Sequence, residues 1–223
     1  MSFIVAIDGP AGTGKGTITK LIAKEMGLVN IDTGATYRCV ALYAIRNNIN
    51  VSEQNKIIES LNNINIDMKN ENGEQTVFLN GEDVTSKIRT PEVTKIVSEV
   101  SSIKEVRFAM VDVQRKLALG KDVIMEGRDI TTYVFPNANV KIYMDADEAE
   151  RANRRYKEMQ EKGMEVTFEE VLDNIRKRDK NDKEKEIGAL KIAEDAIYVD
   201  TTNLTIEEVK EKIKEIIEEK RSK

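Results

Sequence analysis

The sequence predicts an α/β fold: a five-stranded parallel sheet flanked by helices, with a small inserted antiparallel β-lobe and a helical lid. Three observations lead there. Short apolar strand-like runs alternate with amphipathic stretches along the chain, the order of a parallel sheet covered by helices. The first run, Phe3-Ile4-Val5-Ala6-Ile7, leads at once into a glycine-rich stretch, Gly9-Pro10-Ala11-Gly12-Thr13-Gly14-Lys15-Gly16-Thr17. After Ile64 the texture changes to period-two alternation broken by two Asn-Gly pairs, a strong short-range hairpin signal.

Taken in order, Lys15 to Met26 reads as an amphipathic helix with Ile18, Leu21, Ile22 and Met26 on one side, closed by Gly27. Leu28 to Ile31 is a second strand and Gly34 to Arg46 a second helix. Ser52 is expected to cap a third helix bearing Ile57, Ile58 and Leu61. Ile64, Ile66 and Met68 then alternate with polar residues, Asn72-Gly73 turns the chain, Thr76 to Leu79 returns, and Asn80-Gly81 turns it again. Thr90-Pro91-Glu92 opens helices that run to Leu119 with a break near Ile103. Asp122–Glu126 and Val140–Asp145 are core strands, followed by a charged helix over Ala149–Gln160. Thr167-x-x-Glu170 and Thr205-x-x-Glu208 are capping boxes on either side of the strand Ile197–Asp200. With 223 residues, a single domain spanning 1–223 is expected: core 1–62 and 91–223, lobe about 63–90, lid about 150–190.

The glycine-rich stretch is a phosphate-binding loop of the P-loop NTPase type, placed where such a loop must sit, between a buried strand and a helix. Backbone N–H groups can curl around an anion there, the helix start adds its positive dipole end, and Lys15 supplies a cation for the β- and γ-phosphates. The residue after the lysine departs from the pattern: Gly16 stands where Ser or Thr would place a hydroxyl on Mg²⁺, and Thr17 follows about 100° further round the helix. Mg²⁺ held through nucleotide and water, or Thr17 on a phosphate, both follow from that shift.

Composition narrows the chemistry. The chain has no histidine, which removes Ser-His and Cys-His nucleophile pairs, imidazole zinc sites and the commonest general base. Phosphoryl transfer survives that exclusion, because it relies on positioning and on charge stabilisation by Lys, Arg and Mg²⁺. A net charge of −5 and few aromatics argue against a nucleic-acid partner. No apolar run reaches the roughly 20 residues that span a bilayer. A signal segment is not apparent, and Cys39 stands alone, so a cytoplasmic protein without membrane partner, acting as a monomer, is the expectation.

Ligands bind outside the carboxyl ends of the strands in such sheets, and three clusters fall there. Asp32-Thr33-Gly34 is followed by Tyr37 and Arg38; Arg38 can fork onto phosphate, although Thr33 and Gly34 also suit a plain helix cap. Glu126-Gly127-Arg128-Asp129 offers a carboxylate to organise Mg²⁺ waters, a phosphate fork and an acceptor, although an Arg128–Asp129 ion pair stabilising the loop is an alternative. The third is Arg151, Arg154, Arg155 and the run from Arg176 to Lys183. Residues 151–191 carry 12 basic and 10 acidic side chains, so most are expected on solvated helix faces, with some arginines closing over the triphosphate.

In combination, Gly-Pro-Ala-Gly-Thr-Gly-Lys-Gly-Thr, Asp-Thr-Gly-Ala-Thr-Tyr-Arg and Glu-Gly-Arg-Asp-Ile resemble the bacterial cytidylate kinases, within the nucleoside monophosphate kinases. Val134-Phe135-Pro136, Arg178-Asp179-x-x-Asp182 and the inserted lobe share the resemblance, which runs from about Ile4 to Asn203. It implies ATP-dependent phosphorylation of CMP, and of dCMP, with Mg²⁺. Gly9 to Thr17 would hold ATP phosphates, with Lys15, Arg128 and Arg178 as candidate catalytic residues. Thr33 would lie near CMP, and Arg38 and Arg128 would contact its phosphate. Ser98, Arg107 and Asp129 would read the cytosine edge, and Arg178 and Asp182 would lie near the ribose. Two departures stand out: Lys185 replaces an arginine near the phosphates, and Glu126 replaces an aspartate. The alternatives are a UMP or AMP kinase of the same fold, a shikimate-type kinase, and a non-catalytic ATP-dependent switch.

Overall fold

The computed structural model describes residues 2–71, 74–161 and 163–222; the expected Asn72-Gly73 turn lies outside them. Five strands, β1 (Ile4–Asp8), β2 (Val29–Asp32), β6 (Val123–Gly127), β7 (Val140–Asp145) and β8 (Ile197–Asp200), form one sheet in the order β2-β6-β1-β7-β8. Every pairing is parallel, with Ile7 opposite both Glu126 and Ile142. Strand alternation divides the apolar side chains between two faces. On one face Val5, Ile7, Ile124, Ile142 and Met144 pack against α1 (Lys15–Met26) and α8 (Ile206–Arg221) through Ile18, Ile22, Val209, Ile213 and Ile217. On the other, Ala6, Ile31, Val123 and Met125 meet α2 (Thr33–Arg46), α4 (Pro91–Val100) and α5 (Lys104–Ala118).

The second sheet is antiparallel, in the order β3 (Ile66–Glu71), β4 (Glu74–Leu79), β5 (Glu82–Asp83). Asn80 and Gly81 take φ of 52° and 84°, the paired left-handed conformations of a tight hairpin turn. The sheet encloses no core of its own: Ile66, Met68, Val77 and Leu79 join the cluster containing Val40 of α2 and Met110 of α5.

Local signals placed most helix ends. Ile103 separates α4 from α5, and Thr167 and Thr205 close reciprocal capping boxes on α7 (Phe168–Glu184) and α8. Ser52 does not cap α3 (Gln54–Ser60), which follows Glu53; the Ser52 N–H and hydroxyl both donate to Asn50 Oδ1, so Asn50 takes the side chain into a turn instead. The charged helix is α6 (Glu148–Glu161), and it forms a hairpin with α7. That hairpin has a small apolar core of Ala152, Val171 and Ile175, flanked by Tyr156 edge-on to Phe168. No described helix is long and apolar enough to cross a membrane.

Candidate active site

The carboxyl ends of β2 and β6 converge with α2, α4, α5 and α7 on a cavity of about 220 Å³. All the acceptor-side residues expected from the sequence line it: Thr33, Arg38, Ser98, Arg107, Arg128, Asp129, Arg178 and Asp182, together with Glu126 and Lys185. Tyr37 lines it as well.

The glycine-rich loop turns from β1 into α1, and Thr17 is exposed on the first turn of that helix. Lys15 is not a free, mobile cation here. Its ammonium is buried and donates to the carbonyls of Gly9 and Pro10 at 2.8 and 2.7 Å and to Thr13 Oγ1 at 3.2 Å. Burial, reinforced by the Arg128 guanidinium, pulls its pKa well below the ordinary lysine value, against the attraction of Glu126 and Asp8. Glu126 moves the opposite way: burial and then Asp32 push its carboxyl up, opposed by Lys15 and Arg128.

A Cβ on Gly16 would stand 2.6 Å from Glu126 Oε1, so this carboxylate occupies the space a serine or threonine would need.

Neither Arg128 nor Asp129 pairs with the other. Arg128 Nε donates to Asp182 Oδ2 at 2.7 Å, joining the end of β6 to α7. Lys185 holds the other oxygen of Asp182 at 2.9 Å and reaches Ser101 Oγ at 3.1 Å. Burial alone would raise the Asp182 carboxyl, but Arg128 and Lys185 hold it well below the usual carboxylate range.

Asp129 pairs instead with Arg107 of α5, and both are buried. Arg107 also donates to the Ser101 carbonyl at 3.2 Å and lies 5.3 Å from the Tyr37 ring centroid, while its Nε finds no partner among the described residues. Burial raises the Asp129 carboxyl despite Arg107. Gly188, just beyond α7, presses against this pair: a Cβ there would overlap both Arg107 Nη2 and Asp129 Oδ2.

Arg38 is held by the Ile88 carbonyl at 3.2 Å and Thr94 Oγ1 at 2.9 Å. Arg178 makes no hydrogen bond within the described residues. Burial, then the Arg128 charge, with Arg38 and Arg155 adding repulsion, pulls it down to about 10. Thr33 donates its hydroxyl to the Glu126 carbonyl at 2.7 Å, and Asp32, rather than Thr33 or Gly34, caps α2 by accepting from Ala35 N. Ser98 sits half-buried on α4, with Asn181 of α7 at 3.5 Å from its hydroxyl.

The third cluster divides. Arg178 lines the cavity, and Arg155, outside its lining, lies close enough to Arg38 and Arg178 to repel them. Arg151 and Arg154 turn to the scaffold: Arg154 donates to the Thr201 carbonyl at 2.6 Å, and Arg151 is buried beside Asp179. The expectation of solvated faces fails for Arg151, Asp179 and Asp182 because each has an opposite charge or carbonyl within reach.

Asp8 was missed. It ends β1, is fully buried, and accepts from Ile130 N at 2.9 Å and from Thr131 N and Oγ1 at 2.7 and 2.6 Å. These bonds hang a π-helical turn, Ile130–Val134, directly after Asp129 and so place that carboxylate. Burial pushes the Asp8 carboxyl up to about 6 although the hydrogen bonds oppose it. The available signal was an acid at the last position of the strand before the loop.

The family model described as cytidylate kinase matches residues 5–219. The cytidylate kinase of Caldicellulosiruptor bescii is 52% identical over 95% of this chain and 94% of its own length. That of Lactobacillus johnsonii is 49% identical over 97% of this chain and 94% of its own. A crystal structure of an uncharacterized protein from Eubacterium ventriosum shares the fold at a TM-score of 0.53 and 13% identity, covering 98% of this chain and 99% of that one. A match running from β1 into α8, with half the residues identical in those relatives, leaves one conclusion: the chain belongs to the cytidylate kinase family.

Proposed function

We propose that the chain transfers the γ-phosphoryl group of ATP to the phosphate of CMP, and of dCMP, yielding ADP and CDP or dCDP. The observation that carries this reading is one cavity lined both by the Arg107–Asp129 pair and by Arg38, Arg128 and Arg178. Cytosine offers an N4 amino donor with N3 and O2 acceptors, so a carboxylate beside a guanidinium and the Ser98 hydroxyl complement its edge. Uracil would turn O4 toward the carboxylate, leaving both acceptors unpaired in a dry site.

The acceptor phosphate oxygen forms a bond to Pγ while the bond from Pγ to the β,γ-bridging oxygen breaks, and ADP leaves. An acceptor phosphate is largely dianionic near pH 7, its second pKa being about 6, so no general base is required of a chain without histidine. In this reading Gly9 to Thr17 surround the ATP phosphates and Lys15 exchanges its loop carbonyls for β- and γ-oxygens. Arg38 and Arg128 hold the acceptor phosphate, Arg178 meets charge on the transferring group, and Asp182 with Thr33 positions the nucleoside.

Among the described residues no group of three acidic, His or Cys side chains could hold a metal ion. Mg²⁺ would be carried mainly on nucleotide and water, with Glu126 beside the loop as the carboxylate that would organise its waters, and the ion would supply neutralisation of phosphate charge. We assign the core to 1–62 and 91–223, the acceptor-side lobe to about 63–90 and the lid to the α6–α7 hairpin, about 150–190. A monomer working in a reducing cytoplasm accords with a complete acceptor cavity in one chain and with the lone buried thiol of Cys39.

The test is ADP release with Mg-ATP and CMP, dCMP, UMP or AMP in turn. Strong turnover with CMP, weaker with UMP and none with AMP is expected. Release with UMP or AMP alone would discard the base-site assignment, and ATP binding without acceptor-dependent release would favour a switch protein.

A further inference from the structure

Arg151 lies one turn into α6 and Asp179 near the end of α7, so both stand at the base of the hairpin, beside the phosphate loop. Their side chains form a buried ion pair, Arg151 Nη1 to Asp179 Oδ2, at 2.6 Å. The same Nη1 donates to the carbonyl of Ala11 at 2.9 Å, while the Ala11 N–H points at Asp179 Oδ1 at 3.4 Å. One charge pair thus brackets both polar groups of a single loop residue. Arg151 Nε is tied in turn to the Ala146 carbonyl at 3.0 Å, just beyond β7. The next loop residue packs on the same arginine: a Cβ on Gly12 would come within 3.0 Å of the Arg151 carbonyl oxygen and 3.1 Å of its Cβ.

We propose that Arg151 and Asp179 are positioning residues that hold the apex of the phosphate loop, Ala11–Gly12, in the conformation that receives ATP. This role rests on the reading of Gly9 to Thr17 as the ATP phosphate site. A loop that binds an anion through successive backbone N–H groups must have its peptide planes oriented beforehand, or ATP binding bears the ordering cost. Ala11 has its N–H and C=O both engaged from outside the loop, which orients its peptide planes. The pair also makes the base of the hairpin one unit with the loop, so any closing motion of α6 and α7 pivots beyond Arg151 and Asp179. Burial argues for this specifying role: a buried ion pair contributes little net stability, but losing one member strands the other charge.

The decisive comparison uses Asp179→Asn and Arg151→Lys in the full chain. Asn keeps the shape but turns an amide donor or a neutral oxygen toward Arg151; Lys keeps the charge but cannot fork between Ala11 and Asp179. Titrating Mg-ATP without acceptor should show its Kd raised about tenfold in Asp179→Asn and less in Arg151→Lys, the scale of a lost charge-assisted hydrogen bond. In turnover, KM for ATP should follow while KM for the acceptor stays within about twofold of wild type. Unchanged ATP affinity, or equal weakening toward both substrates, overturns the proposal and leaves the pair a structural contact. Should Asp179→Asn not fold, Arg151→Lys decides by the same ratio. Because ATP binding is read without acceptor, a failed CMP assignment leaves this test intact.

Discussion

Replacing Asp129 by Asn isolates the group proposed to distinguish cytosine from uracil. The carboxylate is 4% exposed and faces Arg107 at 3% exposed, so water screens little of what it does. Toward CMP, the variant loses a charge-assisted hydrogen bond to the N4 amino group, worth about 2 kcal/mol. Toward UMP, it removes a buried carboxylate aimed at O4, and relief of that unpaired acceptor is worth about another 2 kcal/mol. The two effects act in opposite directions on the two substrates and therefore add in the ratio. Selectivity for CMP over UMP, measured as the ratio of kcat/KM values, should fall by about 4 kcal/mol, roughly a thousandfold. Arg107 loses its counterion in the variant but keeps the Ser101 carbonyl and the Tyr37 face, so the chain should fold with reduced stability. The assay is ADP release with each acceptor at several concentrations. A ratio within about threefold of wild type would remove Asp129 from base reading, and an equal fall for both substrates would reduce it to a support for Arg107.

Gly188→Ala forces a side chain onto the Arg107–Asp129 pair at φ 66°, whereas Gly120→Ala imposes similar strain at φ 73° with nothing within 4 Å. Gly120→Ala should lose about 1 kcal/mol of stability by urea unfolding and Gly188→Ala more, and only Gly188→Ala should raise KM for CMP, by about tenfold or more; equal acceptor kinetics would show that the contact is incidental. Asp8 provides a pH signature. Its folded-state carboxyl is raised from 3.8 to about 6, so the folded chain holds the proton more tightly than the unfolded one and stability falls as pH rises through that window. Relative to Asp8→Asn, the wild type should lose about 3 kcal/mol between pH 3.5 and 7; parallel profiles for the two would refute the assignment.

What could be read from the sequence was whatever local chemistry decides. The phosphate loop, the break at Ile103 and both capping boxes depend on residues within one turn of each other. Ser52 shows the limit even there: Asn50 competes for the same hydroxyl and N–H, and its side chain wins. The site residues were legible as types and positions but not as partners. Arg128 and Asp129 are adjacent in sequence, yet their counter-charges come from Asp182 and Arg107, which α7 and α5 bring in from far along the chain. Charge counting over 151–191 failed for the same reason, since near-balanced charge describes solvated faces and buried pairs alike. The π-helical turn has no periodic signature; it exists because Asp8, more than a hundred residues earlier, accepts its first N–H groups.

The pairing pattern also says how the site can hold so many cations in a chain of net charge −5. Lys15 rests on two loop carbonyls, Arg38 on a carbonyl and a hydroxyl, Arg107 on Asp129, and Arg128 on Asp182. Each of these contacts can be exchanged for a substrate oxygen or base edge at modest cost, because a polar contact replaces a polar contact. Arg178 is different: it hydrogen-bonds to no described residue, and burial with Arg128 beside it pulls it down to about 10. At pH 7 that guanidinium remains charged. Half-buried in the cavity wall and without a hydrogen-bonding partner among the described residues, it is the side chain an arriving anion would relieve most. On the proposed function, phosphate binding would therefore be favoured most strongly at Arg178, the arginine with no hydrogen-bonding partner among the described residues, next to the arginines proposed to hold the acceptor phosphate, where negative charge must accumulate for transfer to occur.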